Sequence, residues 1–88
     1  MDLDRELAAL NGWSGNTEAI HKEYRFSDFK AAMAFMQAAV DDIESLGHHP
    51  EWRNVYNTVS ITLRTHDAGD IVTEKDIALA KVLDRIAG

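Results

Sequence analysis

Residues 31–40 read AAMAFMQAAV, and Gln37 is the only polar side chain among them. They belong to a helical segment, roughly residues 28–46, preceded by Ser27, a residue suited to cap a helix N-terminus. One apolar stripe runs through Phe29, Met33, Met36, Val40 and Ile43; a second runs through Ala32, Phe35, Ala39 and Leu46. A surface helix of a small monomer needs only one apolar face. A helix that is apolar nearly all round is either unusually buried or packed on another copy of itself. Self-assembly is the simpler expectation, as a homodimer or homotetramer, with Phe35 and Ala38 on the outward face.

The elements around this helix are shorter. Leu3, Leu7 and Leu10 predict a first helix over 3–10, stopped by Asn11-Gly12. Residues 14–17, SGNT, read as a turn between a short strand near Trp13 and a longer one in which Ile20, Tyr24 and Phe26 are evenly spaced. Residues 57–65 alternate: Val59, Ile61 and Leu63 point one way, and Thr58, Ser60, Thr62 and Arg64 the other. That pattern predicts a half-buried antiparallel strand with one polar face, pairing with 51–56 as a hairpin. Thr73 and Asp76 in TEKD form a capping box that opens a last helix with Ile77, Leu79, Ala80, Leu83 and Ile86. The order helix, two strands, helix, two strands, helix predicts a single α+β domain over residues 1–88, its sheet carrying the helices on one face.

Composition excludes several classes. The net charge of −6 argues against nucleic-acid binding and against a polybasic membrane surface. No apolar run approaches the roughly 20 residues of a membrane span. The acidic start MDLDRELAAL lacks the features of a signal peptide, and there is no cysteine, so a cytoplasmic location is expected.

Half of the four histidines stand together in GHHP, at His48 and His49. Pro50 biases His49 towards extended backbone, so the two rings diverge. The 51–65 hairpin would return His66 to the neighbourhood of His48, with Glu44, Trp52 and Tyr56 close by. Histidine titrates near neutral pH, so such a cluster can hold one ring as base and another as acid. Three histidines and a glutamate could instead bind zinc, but adjacent histidines are an awkward pair of ligands for one ion, and no metal site is expected. His21, among charged neighbours in a strand, reads as an exposed bystander.

The pattern E-x₃-HHP-x₅-Y-x₉-H-x₉-D, carried by Glu44, His48, His49, Pro50, Tyr56, His66 and Asp76, resembles the pterin-4a-carbinolamine dehydratases. HHPEW, NVYN, THDAG and TEKD look like that family, and the likeness extends upstream through YRFSDFKAAMAFM. In two places the chain departs from the family pattern. The loop DAGDIVTEKD is one residue longer, with Asp70 where a second glycine is common, and Ile43 stands where alanine is frequent.

The resemblance implies a four-stranded antiparallel sheet with three helices on one face. It implies dehydration of 4a-hydroxytetrahydropterin to quinonoid dihydropterin, in tetrahydrobiopterin recycling, with pterin as substrate and no cofactor or metal. His49 and His66 would serve the hydroxyl and N5, and His48 positioning and proton exchange. Glu44 would hold a histidine tautomer or favour its charged form, and Asp76 would brace the loop after His66. Pro50 and Trp52 would line the pterin, and Thr65 and Asp67 would offer it polar contacts. The alternative function is a protein-binding module, a dimerisation cofactor for a transcription factor, acting through the apolar central helix.

Overall fold

A computed structural model describes all of residues 1–88. The elements run α1 (Leu3–Ala9), β1 (Ser14–Gly15), β2 (Ile20–Arg25), α2 (Phe29–Leu46), β3 (Glu51–Val55), β4 (Thr58–Leu63) and α3 (Glu74–Ala87), with a single 3₁₀ turn at His66–Ala68. The four strands form one antiparallel sheet in the order β1-β2-β4-β3. This is the α+β architecture expected from the order of elements.

Alternation along β2 and β4 decides which face of the sheet is covered. Ile20 and Tyr24, with Val59, Ile61 and Leu63, point to one side and are buried. They share a single core with Ala32, Phe35, Ala39 and Ile43 of α2 and Ile77, Leu79, Ala80 and Leu83 of α3, and Leu3 and Leu7 of α1 pack against it. All three helices therefore cover the same face. The other face carries His21, Glu23 and Arg25 opposite Thr62, Ser60 and Thr58. No helix is long and apolar enough to cross a membrane.

The helix cap is Asp28 and not Ser27. The Asp28 carboxylate accepts from the Ala31 N–H at 2.8 Å. Phe26 is still tied to the hairpin, its N–H donating to Asn57 O at 2.8 Å, so the chain turns into α2 one residue later than expected. The carboxylate also complements the positive end of the helix dipole.

The stripes of α2 divide differently from the expectation as well. Ala32, Phe35, Ala39 and Ile43 face the core, whereas Phe29, Val40 and Leu46 are exposed. Phe35 is thus an inward residue; its ring packs tilted against Tyr24 and Phe26, with centroids at 5.0 and 5.1 Å. Exposed Phe29 and Val40, eleven residues apart, share one flank of the helix, whereas exposed Ala38 lies on the opposite flank.

At the end of the molecule where α1, β2 and α3 meet, Trp13 Nε1 (3.1 Å), Lys22 Nζ (2.8 Å) and the Tyr24 hydroxyl all donate to one carboxylate oxygen of Asp84. These bonds tie the β1–β2 hairpin to the last helix. A second constraint lies at Gly15, where a Cβ would stand 2.2 Å from Ala19 O.

Candidate active site

α2 ends because Gly47 takes a left-handed backbone, φ 63, and its N–H closes on Ile43 O and Glu44 O, each at 3.1 Å. Left-handed backbone costs glycine nothing and most side chains a good deal. The turn sends His48 inward and leaves His49 outside. β3 then leads away and β4 returns, in the register Glu51↔Thr62, so that Thr65 and His66 arrive beside the tandem histidines. Gly47, His48, His49, Thr65, His66 and Lys75 line one cavity of about 180 Å³, with Asp67 at its rim. The three imidazoles expected to meet are therefore brought together.

Each ring has its own carboxylate. His48 is 9% exposed, and its Nε2 lies 2.5 Å from Oδ1 of Asp76, which is fully buried. The second oxygen of Asp76 accepts from the Thr65 hydroxyl and from the Thr73 N–H, both at 2.9 Å. A carboxylate withdrawn from water is expensive unless its lone pairs are satisfied. Here three donors satisfy it. One side chain thus closes the capping box of α3, ties Thr65 to that helix and holds the ring of His48. Capping and site support, two separate claims on Asp76, are met by its two oxygens.

The other two pairs are open to solvent. His49 Nε2 stands 2.6 Å from Glu44 Oε1, and His66 Nδ1 stands 2.5 Å from Asp70 Oδ1. An ionised carboxylate only accepts, so the bonded nitrogen carries the proton in each pair. Neutral His48 and His49 consequently present Nδ1 as a free lone pair, and neutral His66 presents Nε2. No group of three or more histidine, aspartate or glutamate side chains converges with the geometry of a metal site.

The remaining expected residues are more dispersed. Tyr56 is not near the histidines. It occupies the two-residue turn between β3 and β4, exposed, with φ 51, and the Asn54 side chain braces the turn by donating to Tyr56 O at 3.1 Å and Thr58 O at 2.9 Å. Five steps of extended chain carry it roughly 17 Å from Glu51 at the usual rise. Trp52 pairs with Ile61 across the hairpin and packs half-buried against the core, and Pro50 is half-buried; neither lines the cavity. The Thr65 hydroxyl is spent on Asp76 and on Thr73 Oγ1, 2.6 Å away, whereas Asp67 is free at the rim. His21 lies on the open face of the sheet, its Nδ1 3.0 Å from Thr62 Oγ1, away from the other three histidines.

Two further residues, Lys75 in the cavity lining and Asp70, which lies outside it but holds His66, were not legible as site residues. Nothing in the sequence singles out Lys75, and Asp70 reads only as a loop departure that could reshape one rim of the pocket. Beyond the rim, a larger cavity of about 670 Å³, lined in part by Leu3, Ile71 and Val72, shares Thr65, Asp67 and Lys75 with the histidine cavity.

Comparison with known proteins places the chain in a family. The family model described as Pterin 4 alpha carbinolamine dehydratase matches residues 1–86. A protein of Opitutus terrae, provisionally named a pterin-4-alpha-carbinolamine dehydratase, is 46% identical over 86 residues, covering 98% of this chain and 89% of that one. One of Bordetella avium with the same provisional name is 46% identical over 89 residues, covering 99% and 82%. The crystal structure of a transcriptional coactivator/pterin dehydratase from Brucella melitensis superposes with a TM-score of 0.93 at 44% identity, covering 99% of this chain and 94% of that one. A pterin dehydratase-like protein identified as a RuBisCO assembly factor in the alpha-carboxysome superposes with a TM-score of 0.70 at 27% identity, covering 86% and 87%. With a sequence match from residue 1 to 86 and a shared fold, this chain belongs to the pterin 4 alpha carbinolamine dehydratase family, whose members' names denote hydro-lyase activity.

Proposed function

We propose that this chain removes water from a 4a-hydroxytetrahydropterin to give the quinonoid dihydropterin, by acid–base catalysis at His48, His49 and His66. The observation that carries the proposal is the convergence of three imidazoles, each on its own carboxylate, around one small cavity. Dehydration breaks the C4a–O bond and the N5–H bond and forms the C4a=N5 double bond. The departing hydroxyl takes one proton and leaves as water, and a base takes the proton from N5. Each assisted transfer is typically worth about 10²–10⁴ in rate.

In this reading His49, the exposed ring backed by Glu44, protonates the hydroxyl, and His66 receives the N5 proton. His48, held by a buried carboxylate, positions the substrate and exchanges protons with the other two. Asp67 at the rim offers the pterin a polar contact, beside buried Thr65. The reaction needs no cofactor or metal and belongs to the recycling of tetrahydrobiopterin in the cytoplasm, the ordinary setting of a chain without cysteine.

The test is the decay of 4a-hydroxytetrahydropterin with and without the protein, after the protein has been dialysed against a strong chelator. Acceleration by the dialysed protein is expected. Decay no faster than in buffer removes the dehydratase reading, and activity lost to chelation and restored by zinc removes the metal-free mechanism.

The exposed apolar residues Phe29 and Val40, on one flank of α2, support a second role for that helix in binding. We take a second copy of the chain as the occupant of that face.

A further inference from the structure

We propose that Asp70 is a positioning residue for the reaction, orienting and charge-stabilising His66 as the base that takes the N5 proton. The proposal rests on the dehydratase reading above and extends it to a residue outside the histidine motif.

The geometry of the loop is specific. After Thr65, the chain makes a 3₁₀ turn over His66–Ala68, and Gly69 N–H closes it on His66 O at 3.0 Å. Gly69 and Asp70 both take left-handed backbone, φ 91 and 59. Asp70 N–H donates to Thr65 O at 3.1 Å, and Thr65 N–H donates to Ile71 O at 2.8 Å. The loop is thereby folded back on itself, and Asp70, four residues after His66, is pinned where its carboxylate meets Nδ1 at 2.5 Å. Aspartate is among the few non-glycine residues that visit left-handed backbone readily, so the position accepts it at modest cost.

The bond has a chemical consequence that the other two pairs do not share. His48 and His49 are held through Nε2, and His66 through Nδ1. A neutral imidazole in water carries its proton mainly on Nε2. Asp70 reverses that preference in His66, so the lone pair stands on Nε2, the nitrogen farthest from the backbone. When Nε2 takes the proton from N5, the electron pair left on N5 forms the C4a=N5 bond and C4a–O breaks, releasing water. The imidazolium formed on His66 is then faced by the Asp70 carboxylate, which stays ionised. Both side chains are about two-thirds exposed, 66% and 63%, so water screens the pair and its effect is modest.

Asp70→Gly and Asp70→Asn test the proposal, because both replacements tolerate the backbone at φ 59 and the fold should hold. The readouts are the ¹⁵N shifts of the His66 ring, which report its tautomer, and the steady-state rate constants for 4a-hydroxytetrahydropterin. In Asp70→Gly the Nε2–H tautomer should become the major neutral form, and kcat should fall about two- to fivefold, the range of an exposed ion pair, with KM little changed. Asp70→Asn keeps an acceptor without the charge and should keep the tautomer while losing part of kcat. An active wild type with kcat unchanged in Asp70→Gly overturns the role, whatever the tautomer. If the wild type proves inactive, the dehydratase reading fails instead, and an Nδ1–H tautomer lost in Asp70→Gly still decides whether Asp70 orients the ring.

Discussion

His48 and Asp76 are 28 residues apart in sequence and 2.5 Å apart in space, and they form the one buried pair among the three histidine–carboxylate pairs. Asp76 also receives Thr65 and Thr73 and closes the cap of α3. Asp76→Ala should therefore cost about 2–4 kcal/mol of stability, from a lost cap and buried donors left unpaired. Asp76→Asn keeps an acceptor oxygen and should cost less, yet it should still lower kcat because the anion beside His48 is gone. Urea unfolding and steady-state rates measured on both variants check this. Stability equal to wild type in Asp76→Ala would remove the bracing role.

His49→Ala and His66→Ala should each slow dehydration by roughly 10²-fold or more while leaving the fold intact, because both rings are exposed and belong to no apolar stripe. The double variant should be far less than multiplicatively worse, since groups acting on one step are strongly non-additive. His21→Ala should change the rate little. A folded His49→Ala, His66→Ala protein with near-normal rate would show that these histidines do not carry the chemistry.

The outward face of α2 should close a symmetric oligomer. Val40 is 42% exposed and Phe29 48%, and the two share one flank of the helix. Phe29→Glu and Val40→Glu should yield folded monomers by light scattering at micromolar concentration, whereas Ala38→Glu, on the opposite flank, should not. Phe35→Asp should instead unfold the chain, because Phe35 is a core residue at 4% exposure. A wild type that scatters as a monomer would refute the self-assembly.

Burial first, then the hydrogen bond to Asp84 and its negative charge, push the Tyr24 hydroxyl far above its ordinary value of 10.0. The unfolded chain would ionise this tyrosine near pH 10 while the folded chain keeps the proton. The stability that Tyr24 contributes is therefore fully present below about pH 10 and is lost as the pH rises from there towards the folded value, by up to about 1.4 kcal/mol per pH unit. The stability difference between wild type and Tyr24→Phe, measured by urea midpoint, should be constant up to about pH 9 and narrow by pH 11. A difference that widens over this range would contradict the assignment.

Much of this protein follows from local pattern. The alternation of Val59, Ile61 and Leu63 made β4 and its buried face legible, because a strand repeats every two residues and only one face was apolar. The TEKD box and the GHHP break marked the start of α3 and the end of α2, since caps and left-handed turns depend on residues adjacent in sequence. What periodicity could not decide was which stripe of α2 faces inward. Both stripes are apolar, and the choice of Ala32, Phe35 and Ala39 came from their fit against Tyr24, Phe26 and α3. Tyr56 shares the histidine motif in sequence but lies at the opposite end of the hairpin, because an extended strand carries its residues away from one another. The partners of the rings were likewise settled in three dimensions: Asp76 reaches His48 only after the sheet and α3 have packed, and Asp70 reaches His66 only because two left-handed residues fold the loop back. Residue types and spacing determined which groups were available for acid–base chemistry. The path of the chain determined which nitrogen of each ring is left free to do it.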